Sequence, residues 1–101
     1  MVDLYRELRT TLKTGKVVIG YKRTIKTIRM GKSKLVIIAA NAPDDIRGDI
    51  ERYCKLANIS LYVFHGTSLD LGAICNKPFM VAVLAILDPG ESKILDVIKG
   101  E

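Results

Sequence analysis

The sequence predicts an α/β fold, with helices and strands packed as a sandwich. Three observations carry this. Apolar residues switch repeatedly between helical spacing and short unbroken runs, so helix and strand alternate along the whole chain. Hydrophobic residues make up 49% of the sequence, too many for a disordered tail. The chain has 101 residues, one domain's worth. At that size roughly 60–70% of the unfolded surface is buried, enough for a core without staples. No repeat, low-complexity tract or linker interrupts the pattern, so residues 1–101 read as a single domain.

Asp3 is placed to cap a first helix whose apolar residues Leu4, Leu8 and Leu12 recur every four positions. Gly15 ends it in the manner of a left-handed residue just past a helix terminus. Lys16-Val17-Val18-Ile19 is a short buried strand that Gly20 breaks. A second helix runs from about Tyr21 to Met30, with Tyr21, Ile25 and Ile28 on one face and Lys22, Lys26 and Arg29 on the adjacent one. Gly31 closes it. Leu35 to Ala40 is apolar without alternation, which suits a central strand covered on both faces.

After Asn41-Ala42, Pro43 fits the first turn of a third helix because its missing N–H is not needed there. Asp44 and Asp45 complement the positive end of that helix, and Ile46, Ile50, Tyr53 and Ala57 form its buried stripe. A strand follows at Leu61 to Phe64. Thr67-Ser68-Leu69-Asp70 resembles a capping box, with Asp in place of the usual Glu, and opens a helix ending near Asn76. Leu69, Leu71 and Ile74 on it read as core. Pro78 separates this helix from a last strand within Phe79 to Leu87. Asp88-Pro89-Gly90-Glu91 then predicts a final helix, with Asp as N-cap and Pro at its first position. The total is five helices and four strands.

The net charge is +5, and its distribution is uneven. No acidic residue occurs from Leu8 through Pro43. That stretch holds Arg9, Lys13, Lys16, Lys22, Arg23, Lys26, Arg29, Lys32 and Lys34, more than half of the 16 basic residues. Acids resume at Asp44, Asp45, Asp49 and Glu51. A chain polarised in this way folds into a polarised surface, the footprint of a nucleic-acid binder or a solvated basic face on an ordinary protein.

Other functions find little support. The start, Met1-Val2-Asp3-Leu4-Tyr5-Arg6, is neither a signal nor a transit peptide, and the longest apolar run is far short of the roughly 20 residues of a membrane span. The expectation is a cytoplasmic protein. Cys54 and Cys75 form no CxxC and have no histidine pair, so reduced thiols and no metal site are expected. His65 is the single histidine, no serine lies in a nucleophile elbow, and GxGxxG is absent. No catalytic constellation and no cofactor are expected.

Binding fares better. In this order of elements, the turn after the first strand, the loop after the second and the loop before the fourth can meet at one edge of the sandwich. The first holds Gly20-Tyr21-Lys22-Arg23. Its glycine would let backbone approach a phosphate or base, and the helix start offers free N–H groups. Lys26 extends the charge. The second holds Asn41, whose amide can donate and accept against a base edge, or which forms the turn before Pro43. The third holds Lys77 and Phe79. Phe79 either stacks on an unpaired base or opens the last strand as a core residue.

At these residues the sequence resembles the archaeal and eukaryotic "L-thirty-e" family of large-subunit ribosomal proteins, within the "L-seven-Ae" kink-turn-binding superfamily. The resemblance spans essentially the whole chain. Its markers are Thr14-Gly15-Lys16, Gly20-Tyr21-Lys22, Lys32-Ser33-Lys34-Leu35, Ala39-Ala40-Asn41-Ala42-Pro43, Gly66 to Gly72 and Asp88 to Ser92. It implies a three-layer α-β-α sandwich with a four-stranded mixed sheet. It also implies structural binding to a kink-turn or internal loop of ribosomal RNA, alongside neighbouring ribosomal proteins in the large subunit. In some relatives the same surface binds their own mRNA. Family contacts carry over to Gly20, Lys22, Asn41, Lys77 and Phe79. The general kink-turn adaptors of RNA-modification particles place an Asn-Glu pair after the glycine of the first turn, and here Tyr21-Lys22 stands instead. The chain is expected to be a monomer when free.

Overall fold

The computed structural model describes residues 4–92, 94 and 95, and of residues 4 and 5 the backbone only. Its order is α1 (Leu4–Thr14), β1 (Lys16–Ile19), α2 (Tyr21–Arg29), β2 (Leu35–Ala39), α3 (Asp44–Ala57), β3 (Ser60–Phe64), α4 (Ser68–Ile74) and β4 (Val83–Asp88), with residues 94 and 95 again helical. The four strands form one mixed sheet in the order β1-β4-β2-β3. β4 pairs antiparallel with both β1 and β2, whereas β2 and β3 are parallel. Helices cover both faces, so the expected three-layer α/β sandwich is what forms.

The strands divide the core by their period of two. Leu35, Ile37 and Ala39 of β2, with Leu84 and Ile86 of β4, face Leu8 of α1, Leu71 and Cys75 near α4, and Ile94. Val36, Ile38, Val83 and Ala85 face the other way, onto Ile28 of α2 and Ile50 and Cys54 of α3. Every residue of β2 is buried, as its unbroken apolar run predicts.

Several local expectations shift. Asp3, the expected cap of α1, lies outside the described residues. Gly15 is not left-handed. It is required because a Cβ there would lie 2.0 Å from the carbonyl oxygen of Asp88, so the α1–β1 turn sits directly on the end of β4. Pro43 is the N-cap of α3 (φ −55°, ψ 144°) rather than its first helical residue. Ala57 is exposed, and Cys54 takes its place in the buried stripe.

Leu69 is 64% exposed. α4 instead buries Ser68, Leu71 and Gly72, followed by Cys75 just beyond it, the i, i+3, i+4, i+7 stripe of one helical face. Leu69 lies about 200° around the helix from Leu71, so both cannot face inward. The capping box of α4 is present in full. Thr67 Oγ1 accepts from the Asp70 N–H, and the Asp70 carboxylate accepts from the Thr67 N–H.

The start of the final helix also moves. Asp88 ends β4 and its carboxylate accepts from the Gly90 N–H, while Gly90 is left-handed at φ 64°. Pro89 to Glu91 is therefore a turn. The N-cap geometry belongs to Ser92, whose hydroxyl accepts from the Ile94 N–H at 3.0 Å. Of the expected final helix only residues 94 and 95 are among the described residues.

Candidate nucleic-acid interface

Backbone pairing brings the three expected loops to one edge. The Gly20 N–H donates to the Val83 carbonyl at 3.0 Å, the Ala39 N–H to Ala82 at 2.8 Å, and the Ala40 N–H to Gly66 at 3.1 Å. The carboxyl ends of β1 and β2 thus flank the start of β4, and that of β3 lies beyond β2 at the same edge. The segment from Asn76 to Ala82 lies against α4, with the Lys77 N–H donating to Gly72 and the Val81 N–H to Ser68, both at 2.9 Å.

Gly20 has φ 111° and ψ 154°, backbone that side chains rarely adopt. No atom lies within 4 Å of where its Cβ would be, so the backbone there is open to an incoming group. Gly20 is the N-cap of α2 and offers no side-chain cap, so first-turn N–H groups of α2 are left for a partner. The Tyr21 hydroxyl donates to the carboxylate of Asp49 on α3, which also holds the Tyr21 phenol above its ordinary pKa. This contact pins the start of α2 to α3. Nothing in the one-dimensional pattern pointed to it, because the partners are 28 residues apart.

Lys22, Arg23 and Lys26 are exposed, but they do not share one hollow. Arg23 joins Gly20, Lys77 and Phe79 around a groove of about 600 Å³ floored by β1 and the start of β4. Lys22 and Lys26 join Arg29 around a second, adjacent hollow of about 560 Å³ on the next face of α2. The first turn of α2 thus presents cations to both sides. Among the described residues the ion pairs are Arg47–Glu51 and Arg52–Asp49, both on α3, so these loop and α2 cations are not neutralised by neighbours.

Phe79 is not a core residue. β4 starts at Val83, and Phe79 lies in the preceding loop, 54% exposed. The strand starts at Val83 because its pairing ends there: Ile38 of β2 sits opposite Val83, Ile19 of β1 sits opposite Leu84, and Gly20 then turns β1 away. Composition could not show this, since Phe79 to Leu87 is apolar whether or not it is paired. Met80, 66% exposed beside Phe79, was not foreseen as a surface residue and adds to the same apolar ledge.

Asn41 stands at the middle of the edge and lines neither hollow. Its side-chain oxygen accepts from the Ser68 N–H at 2.7 Å. The expectation that this amide both donates and accepts against a base is therefore halved, since the oxygen already serves the fold. Ser68 links the second loop to the third: its N–H reaches Asn41, and its carbonyl takes the Val81 N–H. Replacing Asn41 by Ala leaves a nearly buried N–H unpaired and should cost roughly 1–3 kcal/mol of stability. Asn41→Asp keeps the acceptor, so urea unfolding should stay near wild type while RNA affinity falls. Equal destabilisation by both variants would show that the Ser68 contact does not hold the loops.

The groups considered for catalysis sit elsewhere or are inert. Cys54 and Cys75 are buried and unpaired, and burial pushes the Cys54 thiol up to about 11 and that of Cys75 in the same direction. His65 is exposed with its ring edge-on to Tyr62 at 5.9 Å. Among the described residues no three His, Cys, Asp or Glu gather as metal ligands, and no helix is long and apolar enough to cross a membrane.

Comparison with known proteins gives the family and the fold. The profile of the "Ribosomal protein L7Ae/L30e/S12e/Gadd45 family" matches residues 3–96. The chain is 52% identical to "Large ribosomal subunit protein eL30" of Pyrobaculum neutrophilum, over 98% of each chain. It is 50% identical to the protein of that name in Saccharolobus solfataricus, over 97% of this chain and 91% of the relative. With that of Methanothermobacter thermautotrophicus the identity is 47%, over 96% and 99%. A solved structure, "Giardia lamblia 15.5kD RNA binding protein", shares the fold with a TM-score of 0.72 at 24% identity, covering 96% of this chain and 78% of that one. The match covers all of α1 to β4, and this chain belongs to the ribosomal protein L7Ae/L30e/S12e/Gadd45 family.

Proposed function

We propose that this chain is a structural component of the large ribosomal subunit. It binds a kink-turn or internal loop of ribosomal RNA as one RNA-binding domain, with no chemical step. The observation that carries this reading is the groove between Arg23 and Lys77, which exposed Phe79 and the open backbone of Gly20 both line. A flipped base can stack on the aromatic ring while phosphates meet the flanking cations and the uncapped start of α2. The relatives at 47–52% identity, named as large-subunit proteins, support the ribosomal setting and hence a place in the cytoplasm on ribosomes.

Gly20, Lys22, Arg23, Lys26, Lys77 and Phe79 are the proposed contacts, with the amine of Asn41 as a donor. Off the ribosome the chain is a monomer, and its own mRNA is a second ligand where it carries a similar loop. A general adaptor role in RNA-modification particles is disfavoured by Tyr21-Lys22 in place of Asn-Glu.

Titration with a kink-turn hairpin tests the reading. Affinity should fall linearly with salt on logarithmic axes as counterions are released. Phe79→Ala should cost roughly 1–3 kcal/mol of binding and change stability by less than about 0.5 kcal/mol, as surface substitutions do. Salt-independent affinity, or binding no tighter than to an unkinked duplex, would refute it.

A further inference from the structure

A second groove lies between α1 and α4, on the face of the sheet opposite α2. It measures about 530 Å³, and Arg9, Leu12 and Lys13 form one wall, with Ile74 and Asn76 on the other. Among the described residues, no acidic side chain lines it. Arg9 and Lys13 are exposed, and neither has a carboxylate within ion-pair distance among the described residues.

Arg6 is also exposed and falls within about 60° of both around the α1 helix, extending the cationic strip by a turn. The nearby acids are otherwise engaged. Glu7 takes the hydroxyl of Ser92, Asp70 completes the capping box of α4, and Asp88 holds the Gly90 N–H.

This groove and the Phe79 groove meet at one turn. Asn76 lines the first and its neighbour Lys77 lines the second. The turn itself is rigidly placed. Asn76 is left-handed at φ 58°, and the N–H groups of Asn76 and Lys77 both donate to the last turn of α4. Among the described residues, positive charge therefore runs without an acidic break in the groove linings from Arg23, past Lys77 and Asn76, to Lys13 and Arg9. The spacing of cations along one helix suits a chain of phosphates.

We infer that the α1–α4 groove is a second RNA-backbone site, continuous with the Phe79 groove around the Asn76–Lys77 turn, where Arg9 and Lys13 hold the phosphates of a stem leaving the bound loop. This rests on the RNA-binding reading of the first groove. The chain then holds two segments of one folded RNA in two adjoining grooves, instead of capping a single loop.

The test compares two RNAs: a minimal kink-turn hairpin, and the same hairpin with each stem lengthened by one helical turn. Wild-type protein should bind the longer RNA more tightly and with a steeper salt dependence. The double variant Arg9→Glu/Lys13→Glu should bind the minimal hairpin as wild type does. It should lose on the order of tenfold or more on the longer RNA, with the salt slope reduced by roughly 0.7–0.9 for each contact removed. Arg9→Gln/Lys13→Gln, which adds no repulsion, should show the same slope with a smaller loss. Thermal unfolding of both variants should match wild type.

Equal affinity of wild type and double variant for the longer RNA overturns the inference and leaves the first site standing. Failure of wild type to bind either hairpin overturns both. A defect confined to assembled subunits, absent on naked RNA, assigns the groove to a neighbouring protein and also overturns it.

Discussion

Reversing the charge at Lys22 is expected to weaken binding to the cognate RNA by roughly 10- to 100-fold, the worth of one charge-assisted hydrogen bond. Lys22 is exposed one residue past the uncapped start of α2, at the head of the strip that continues through Lys26 and Arg29. A glutamate there removes a donor and sets a negative charge against phosphates that the N–H groups of the same helix turn would otherwise attract. The slope of log affinity against log salt should drop as well, by close to one unit. Glu51→Lys on α3 is the control, since it adds positive charge at an exposed site away from the loop edge. Both variants should keep the wild-type unfolding midpoint. If Lys22→Glu and Glu51→Lys bind RNA alike, the first turn of α2 is not part of the interface.

The largest stability loss is expected from Leu84→Ala. Leu84 is fully buried on β4, the strand paired on both sides, with Ile19 opposite on β1 and Ile37 opposite on β2. Its side chain packs into the cluster that also holds Leu8 and Leu71, so truncation leaves a cavity under two helices. Such substitutions cost roughly 2–5 kcal/mol. For a domain of this size each kcal/mol lowers the melting point by about 4–8 °C, so calorimetry should show a fall of at least about 8 °C. RNA affinity well below the new midpoint should change little, because Leu84 reaches no exposed surface. A loss of affinity in the folded variant would mean that the core, and not the loops alone, sets the geometry of the interface.

The two predictions draw on different layers of legibility. The element order, the buried run of β2 and the cap of α4 could be read from the chain, because each depends on neighbours within a few residues. Gly20 was legible as a chain-breaking glycine, and the acid-free stretch from Leu8 to Pro43 announced a basic surface. Leu69 could have been read correctly too, since its helical phase against Leu71 and Cys75 already turns it outward.

Other features depended on pairing across the fold. Phe79 and Val83 belong to one apolar run, and only the end of β1 at Gly20 decides which is exposed and which is strand. Asn41 is suited to a base edge by its chemistry, but its oxygen is taken by an N–H 27 residues away. Tyr21 is tied to Asp49 over a similar span, and Gly15 is a glycine because Asp88 passes against it. By itself, then, the sequence determined the α/β order, the family and the sign of the surface, because local periodicity and charge are properties of neighbouring residues. The tertiary structure alone decided which loop residues face outward together, because strand ends, backbone contacts and side-chain hydrogen bonds are made between segments far apart in the chain.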